Sequence, residues 1–429
     1  MPKTLLPNAL LFLAGISLVL LSNCQGQTRY SGLIDSLLKT APESYAFAPI
    51  LEAPEQYELQ IIYTQINRDA QNQAQLKTFH YRTANAPYFY PASTVKLPYA
   101  IAALQRLNEL DLIGLTRYSP MEVLVAREPQ KPNKLKDSTS ATGYAHLAHY
   151  IRKALIISDN DASNRLYEFV GQKYLNECFW RRNYDDLRLI HRLANSKFKS
   201  VDNRYTNPMR FYRVDNPEVL VYEQAEQLNP QAYPPKIDPM RKGIGYIDDD
   251  TGKLVKQPKD LRDKNYISLP TLHQILIATM MPEAVAPERR FNLSLQDQRL
   301  LWQALSSLPR ENRYPDYSQY PDNYNKYLLY GDTQGRSIPS NIRIFNKVGM
   351  AFGYLIDNAY IVDFDKGLEF FLSVVVYTNK NQILNDDRYE YKTIGFPLLR
   401  NIGQRFYEYE QQRIKTHRPD LSVYRLNYD

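Results

Sequence analysis

Tyr90-Pro91-Ala92-Ser93-Thr94-Val95-Lys96-Leu97-Pro98 is the stretch on which the reading of this chain turns. An extended aromatic segment gives way here to an apolar helix. A serine at the first turn, with a lysine three residues on, puts hydroxyl and amine on one face. An amine within reach is what turns an unreactive alcohol into a nucleophile. The spacing alone is unselective, because Ser36-Leu37-Leu38-Lys39 and Ser196-Lys197-Phe198-Lys199 share it. Their surroundings differ: Ser36 lies on an amphipathic segment whose lysine faces solvent, and Ser196 lies in polar, irregular sequence. Upstream of Ser93, residues 58–66 and 76–81 alternate apolar and polar side chains around a polar turn, which predicts a hairpin. Downstream, residues 99–110 carry apolar side chains at helical spacing, with Pro98 expected to bend the start.

Two further stretches give Ser93 its context. Ser158-Asp159-Asn160 falls between two helical patterns, and Lys347-Val348-Gly349 opens a strand-rich stretch near the C-terminus. Each alone is ordinary: Ser-Asp-Asn is a common helix cap, and a lysine beginning a strand is usually solvated. In this order, each at the right kind of boundary, the three motifs resemble those of class A β-lactamases and the related penicillin-binding proteins. The likeness runs from about residue 45 to about residue 410. It implies an α/β (α+β) fold, with an antiparallel sheet built from N- and C-terminal segments, packed with helices and joined to an all-helical subdomain.

The resemblance also implies roles. Ser93 attacks the carbonyl, and Lys96 takes its proton, kept neutral by burial beside the cation of Lys347. Ser158 passes a proton toward the leaving group, and Asn160 holds the substrate's amide. Backbone N–H groups of Ser93 and of Met350, just after Gly349, form the oxyanion hole. Asp159 is expected to hold the loop by hydrogen bonds. Two departures bear on the substrate. The family's Glu-x-x-x-Asn loop, which orients the water that clears the acyl-enzyme, reads here Arg188-Leu189-Ile190-His191-Arg192-Leu193-Ala194-Asn195, with no acid. His191 takes the glutamate's place in that register, and Asp185, Asp186 or Asp202 are the acids near enough to serve in another. Val348 replaces a threonine whose hydroxyl meets the substrate's carboxylate, a bond worth about 1.5–3 kcal/mol. Arg343 or an inserted loop is the expected substitute.

The net charge of +7 and pI near 9.0 come from charges scattered along 429 residues, with no basic block. That suits an anionic envelope and argues against nucleic acid as a partner. Lys3 precedes an apolar run, 10–21, too short for a confident membrane span. Leu21-Ser22-Asn23-Cys24 then looks like a bacterial lipoprotein processing box, although Asn23 is larger than the usual residue. The alternative is an uncleaved signal anchor. With Cys24 lipidated, Cys178 has no partner, and it reads as a small buried hydrophobe. No His/Cys pattern suits a metal, and no cofactor is implied.

The domain reading is therefore a signal peptide at 1–23, a lipidated tether and first helix at 24–45, and one hydrolase domain at 46–429. Its α/β part takes in 46–90 and 340–429, and its helical part 91–339. Proline-rich 203–265 and tyrosine-rich 314–340 are read as insertions, and 122–144 as a polar surface loop. Arg204, Arg210 and Arg213 are candidates to meet an anionic substrate, and tyrosines 314 to 330 to stack on sugars. Helices are expected at 30–38, 145–156, 162–170 (capped by Asp161), 269–281, 294–308 and 394–412. Strands are expected at 342–348, 354–364 and 368–378. The functional expectation is an envelope-anchored, periplasm-facing serine hydrolase forming an acyl-enzyme on a β-lactam or peptidoglycan-related amide or ester. Gln25 after the lipidated cysteine leans toward the outer membrane. The alternative is a lipoprotein that keeps the fold and binds peptidoglycan or a partner without turnover.

Overall fold

The computed structural model describes residues 32–331 and 337–428. The expected signal peptide and the lipidation of Cys24 lie outside the described residues. Five antiparallel strands form the central sheet: β1 (Gln60–Arg68), β2 (Ala74–Tyr81), β3 (Ile342–Ala351), β4 (Tyr354–Asp363) and β5 (Leu368–Tyr377), in the order β3-β4-β5-β1-β2. The N-terminal hairpin thus pairs with the C-terminal meander through β1 and β5, as expected. Every residue of β4 and β5 is buried, because both faces of the sheet are covered. Strands so enclosed read as continuous apolar runs.

One face packs under α7 (Phe396–Gln412) and the helix at 32–39, in a core that includes Ile34, Leu37, Ile344, Val348 and Phe406. The other face meets the helical part: α1 (Lys96–Leu110), α2 (Leu147–Ile156), α3 (Asn160–Val170), α4 (Gln172–Trp180), α5 (Leu269–Met280) and α6 (Leu295–Ser306). Cys178 is a free, buried cysteine of α4, its thiol pushed up to about 12 by burial.

Some expectations need correction. Pro98 does not bend its helix: α1 begins at Lys96, so Pro98 lies in the first turn, where a missing N–H breaks no helical bond. The helix after Ser158 is capped by Asp159, whose carboxylate accepts from Ala162 N at 2.8 Å, so Asp161 lies inside the first turn. The loop at 122–144 is not wholly a surface loop. Met121–Val123 pairs with Met209–Tyr212, which pairs with Leu220–Gln224, because Met121, Val123, Met209 and Phe211 supply the alternating buried face. The 203–265 segment thus holds short ladders, and it is tied to chain flanking the main sheet. Gly245–Ile247 runs parallel to Ile383–Leu384, and Lys242 Nζ lies 2.7 Å from Glu58 Oε1.

Candidate active site

The three Ser-x-x-Lys candidates separate by burial. Lys39 and Lys199 have side chains 64% exposed and pair with Asp35 and Asp250, whereas Lys96 is fully buried. Ser93 is half-buried and sits in a 3₁₀ turn, Ala92–Val95, that feeds α1. Thr94 closes the turn, its hydroxyl donating to Pro91 O at 2.7 Å. Ala92, just before the serine, has φ +47°, and Ser158 has φ +64°. Left-handed backbone at a residue with a Cβ costs of order 1–3 kcal/mol and persists where surrounding structure enforces it. Both strained positions border one cluster.

In that cluster the amine of Lys96 donates to Asn160 Oδ1 at 2.7 Å and to the backbone carbonyl of Ser158, and it lies 3.1 Å from Ser158 Oγ. Lys347 Nζ lies 2.9 Å from the same Oγ and 3.2 Å from Val348 O. Ser158 Oγ is therefore held between two amines. Burial lowers Lys96 to about 7, with Asp159 pulling the other way. Lys347 is also pushed well below its usual range, first by burial, then by Lys96 and by Lys326. The sequence reading expected burial beside the cation of Lys347 to lower Lys96; burial is the cause that lowers it here. Two carbonyl oxygens take two protons of Lys96, which leaves a neutral amine's lone pair free to turn elsewhere.

Strand β3 brings Lys347 and Gly349 to this cluster. A Cβ on Gly349 would stand 2.7 Å from Pro91 O and 3.3 Å from Ala92 Cβ, so the strand touches the backbone of the Ser93 turn and only glycine fits. Gly349→Ala is expected to cut covalent labelling of Ser93 at least tenfold while costing about 1–3 kcal/mol of stability. Labelling time courses with a denaturant curve check this, and unchanged labelling would contradict the contact. Asn160 and Met350 are exposed, Met350 being next along this edge strand. Val348 is placed elsewhere: it is buried in the α7 core with Ile344, on the face opposite Lys347 and Gly349. Its side chain does not reach the cluster, since alternation along a strand sends neighbours to opposite faces.

The expected substitutes for the carboxylate contact are engaged as well. Arg343 makes a bidentate pair with Glu311 at 2.7 and 2.8 Å. Arg210 and Arg213 pair with Glu223 and Asp215, and Arg204 donates to Asn229 O. Tyr320 and Tyr324 pack on each other at 4.5 Å, and Tyr317 is buried.

His191 is buried and stacks on Tyr90 at 6.0 Å, three residues before Ser93. Its Nδ1 lies 2.5 Å from Arg192 O, which fixes the proton on Nδ1 and leaves Nε2 as an acceptor. Burial lowers its pKa to about 4, so the ring is neutral. Asp186 accepts from the Tyr266 hydroxyl, Asp202 from Lys199 N, and Asp185 is exposed. The acid that reaches this segment is Glu168 of α3, and it serves as a strut: buried, it pairs with Arg192 at 2.8 Å and Arg165 at 3.0 Å. Asn164 bonds both polar backbone groups of Leu193, and Asn265 Oδ1 accepts from Ile190 N at 2.7 Å and His191 N at 3.2 Å. Glu168→Ala strands the buried guanidinium of Arg192 and leaves Arg165 only the exposed carboxylate of Asp161 at 3.3 Å, and is expected to cost about 3–5 kcal/mol, read from denaturant unfolding. A loss under about 1 kcal/mol would show that the strut is dispensable.

Sequence reasoning missed Glu168, the asparagines and a further buried lysine, Lys326, whose Nζ donates to Asn346 Oδ1 at 2.7 Å. Asparagines spaced through α3 and a loop leave no local signature, and Lys326 lay within a stretch read as an insertion.

A family model described as "Beta-lactamase enzyme family" matches residues 53–218, a segment that includes Ser93, Lys96, Ser158 and Asn160. Among solved structures, the β-lactamase of Sphaerobacter thermophilus is 13% identical with TM-score 0.46, over 87% of this chain and all of that one. A β-lactamase from Xanthomonas campestris is 12% identical with TM-score 0.45, over 87% and 98%. A PBP-A variant in acyl-enzyme complex with penicillin G is 15% identical with TM-score 0.45, over 90% and 97%. Likeness of that degree says nothing of what this chain acts on. No curated protein sequence matches.

Proposed function

We propose, for a chain whose residues 53–218 match the β-lactamase enzyme family, a serine hydrolase that forms an acyl-enzyme on Ser93 with an amide or ester, a β-lactam or a peptidoglycan-derived substrate. The observation that carries this reading is the placement of Ser158 Oγ between the amines of Lys96 and Lys347, beside the Ser93 turn. Lys96, as the neutral amine, takes the Ser93 proton as the Ser93 Oγ–carbon bond forms. The oxyanion is met by the N–H groups of Ser93 and Met350. As the intermediate collapses, the bond to the leaving group breaks, and Ser158 gives that group its proton. Lys96 returns the proton to Ser158. Water then releases the acyl group.

The last step is the slow one in this account, because the segment 188–195 brings no carboxylate and Glu168 is locked between two arginines. A binding protein without turnover would gain nothing from burying Lys96 and Lys347 at a strained serine, since buried amines cost stability. Anchoring in the cell envelope through a lipid on Cys24, facing the periplasm, completes the proposal. A chromogenic cephalosporin is expected to give a burst of about one equivalent per chain followed by slow release. Neither burst nor turnover would refute the hydrolase, and fast turnover without a burst would refute slow deacylation.

A further inference from the structure

The turn that joins β3 to β4 carries a residue that its backbone disfavours. Ala351 pairs with Tyr354, so two residues make the turn, Phe352 with φ +54° and Gly353 with φ +87°. Hairpin turns with positive φ at both central positions favour asparagine, aspartate or glycine at the first. A bulky aromatic there is an outlier, and strain of this kind persists only where the surroundings enforce it. They do so here. Gly353 N–H donates to the Tyr391 hydroxyl at 2.8 Å, its carbonyl accepts from Thr378 N at 2.7 Å, and a Cβ on it would stand 2.6 Å from Asn379 Cβ.

The enforced turn aims the Phe352 ring at the approach to Ser93. Its centroid lies 5.1 Å from that of Tyr90, three residues before the serine, and buried Lys259 of the 203–265 segment brings its Nζ to 5.8 Å from the same ring. The end of β3 therefore meets the Ser93 segment twice, through Gly349 against Pro91 O and Ala92 and through Phe352 against Tyr90. Met350 lies between those two contacts on β3, and Ser93 follows directly on the segment they press. The two N–H groups assigned to the oxyanion thus come from the two pieces of chain that these contacts clamp. Such donors must stand about 2.7–3.1 Å from the place the oxyanion will occupy, so the clamp has little slack.

We propose that Phe352 is a positioning residue for the oxyanion hole: its ring, held on Tyr90 by a strained turn, sets the Met350 N–H against the Ser93 N–H. The inference rests on the hydrolase reading. Asparagine at this position would relieve the strain and leave Tyr90 without the ring it packs on. Oxyanion donors act on charge that develops only in the transition state, so misplacing one lowers the rate at saturation and spares ground-state affinity.

Ser93 acylation by a fluorescent penicillin is measured against its concentration and against pH for the full chain as wild type, Phe352→Asn and Phe352→Tyr. In Phe352→Asn the saturating rate is expected to fall about tenfold, with the half-saturating concentration within about twofold of wild type. The acid limb near pH 7, which belongs to Lys96, is expected to stay in place. Phe352→Tyr, which keeps the ring, is expected to keep the wild-type saturating rate. Folded Phe352→Asn with an unchanged saturating rate would overturn the inference and leave the hydrolase standing. So would a displaced acid limb, or a loss that Phe352→Tyr shares. A wild type that never labels would refute the hydrolase instead. Should Phe352→Asn not fold, the cycle of Phe352→Leu, Tyr90→Leu and the double variant decides. One shared contact predicts that the double variant loses little more than either single, and losses that multiply in full would overturn the inference.

Discussion

Ser93→Ala is expected to abolish covalent labelling by both a fluorescent penicillin and a fluorophosphonate. Ser158, the other hydroxyl of the cluster, is not expected to take over. Its Oγ is held between two amines and its backbone is locked at φ +64°, beside a capped helix start. Ser93 instead lies half-buried on a turn against Gly349, with Lys96 one 3₁₀ turn on. The side chain is small and half-exposed, so the alanine variant should unfold within about 0.5 kcal/mol of wild type. Residual labelling of a folded Ser93→Ala protein above about one part in a thousand would place the nucleophile elsewhere.

Lys96→Ala carries the second largest expected effect. General-base catalysis is worth about 10²–10⁴ in rate, so acylation is expected to slow by that factor. The pH profile adds a sharper criterion. Proton transfer requires the neutral amine, and burial lowers Lys96 to about 7. The wild-type rate should therefore rise about tenfold per pH unit below about 7 and level off above it. Lys96→Ala should lose that limb altogether. A limb near pH 7 that survives the substitution would mean another group is the base. The variant also leaves Asn160 Oδ1 and the Ser158 carbonyl without their donor, so a moderate loss of stability is expected with it.

Much of this architecture was legible because it is carried by local pattern. The hairpin β1–β2 follows from alternation around a polar turn, the meander β3–β5 from its strand-rich sequence, and α1 to α3 from apolar spacing. The choice of Ser93 over Ser36 and Ser196 was legible for the same reason: only its lysine sits in sequence apolar enough to bury an amine. What stayed hidden depends on register and on tertiary contact. Val348 was expected at the substrate, and it lies in the α7 core because its parity along β3 is that of Ile344 rather than of Lys347. Asp161 is the cap that a helix starting at Ala162 suggests, and Asp159 fills the role because the helix starts two residues earlier, a boundary that composition does not fix. Glu168, 75 residues beyond Ser93, and Lys326, within tyrosine-rich sequence, acquire meaning only when folding sets Arg192 and Asn346 against them.

The central claim is that one hydroxyl, at position 93, is served by amines drawn from distant parts of the chain. Time-resolved intact-mass spectrometry of the full-length protein exposed to penicillin, followed by peptide mapping, tests it most directly. The account predicts one adduct per chain, confined to the peptide that carries Ser93, formed faster at pH 8 than at pH 6 and persisting after excess penicillin is removed. No adduct, or an adduct on any other residue, would contradict it.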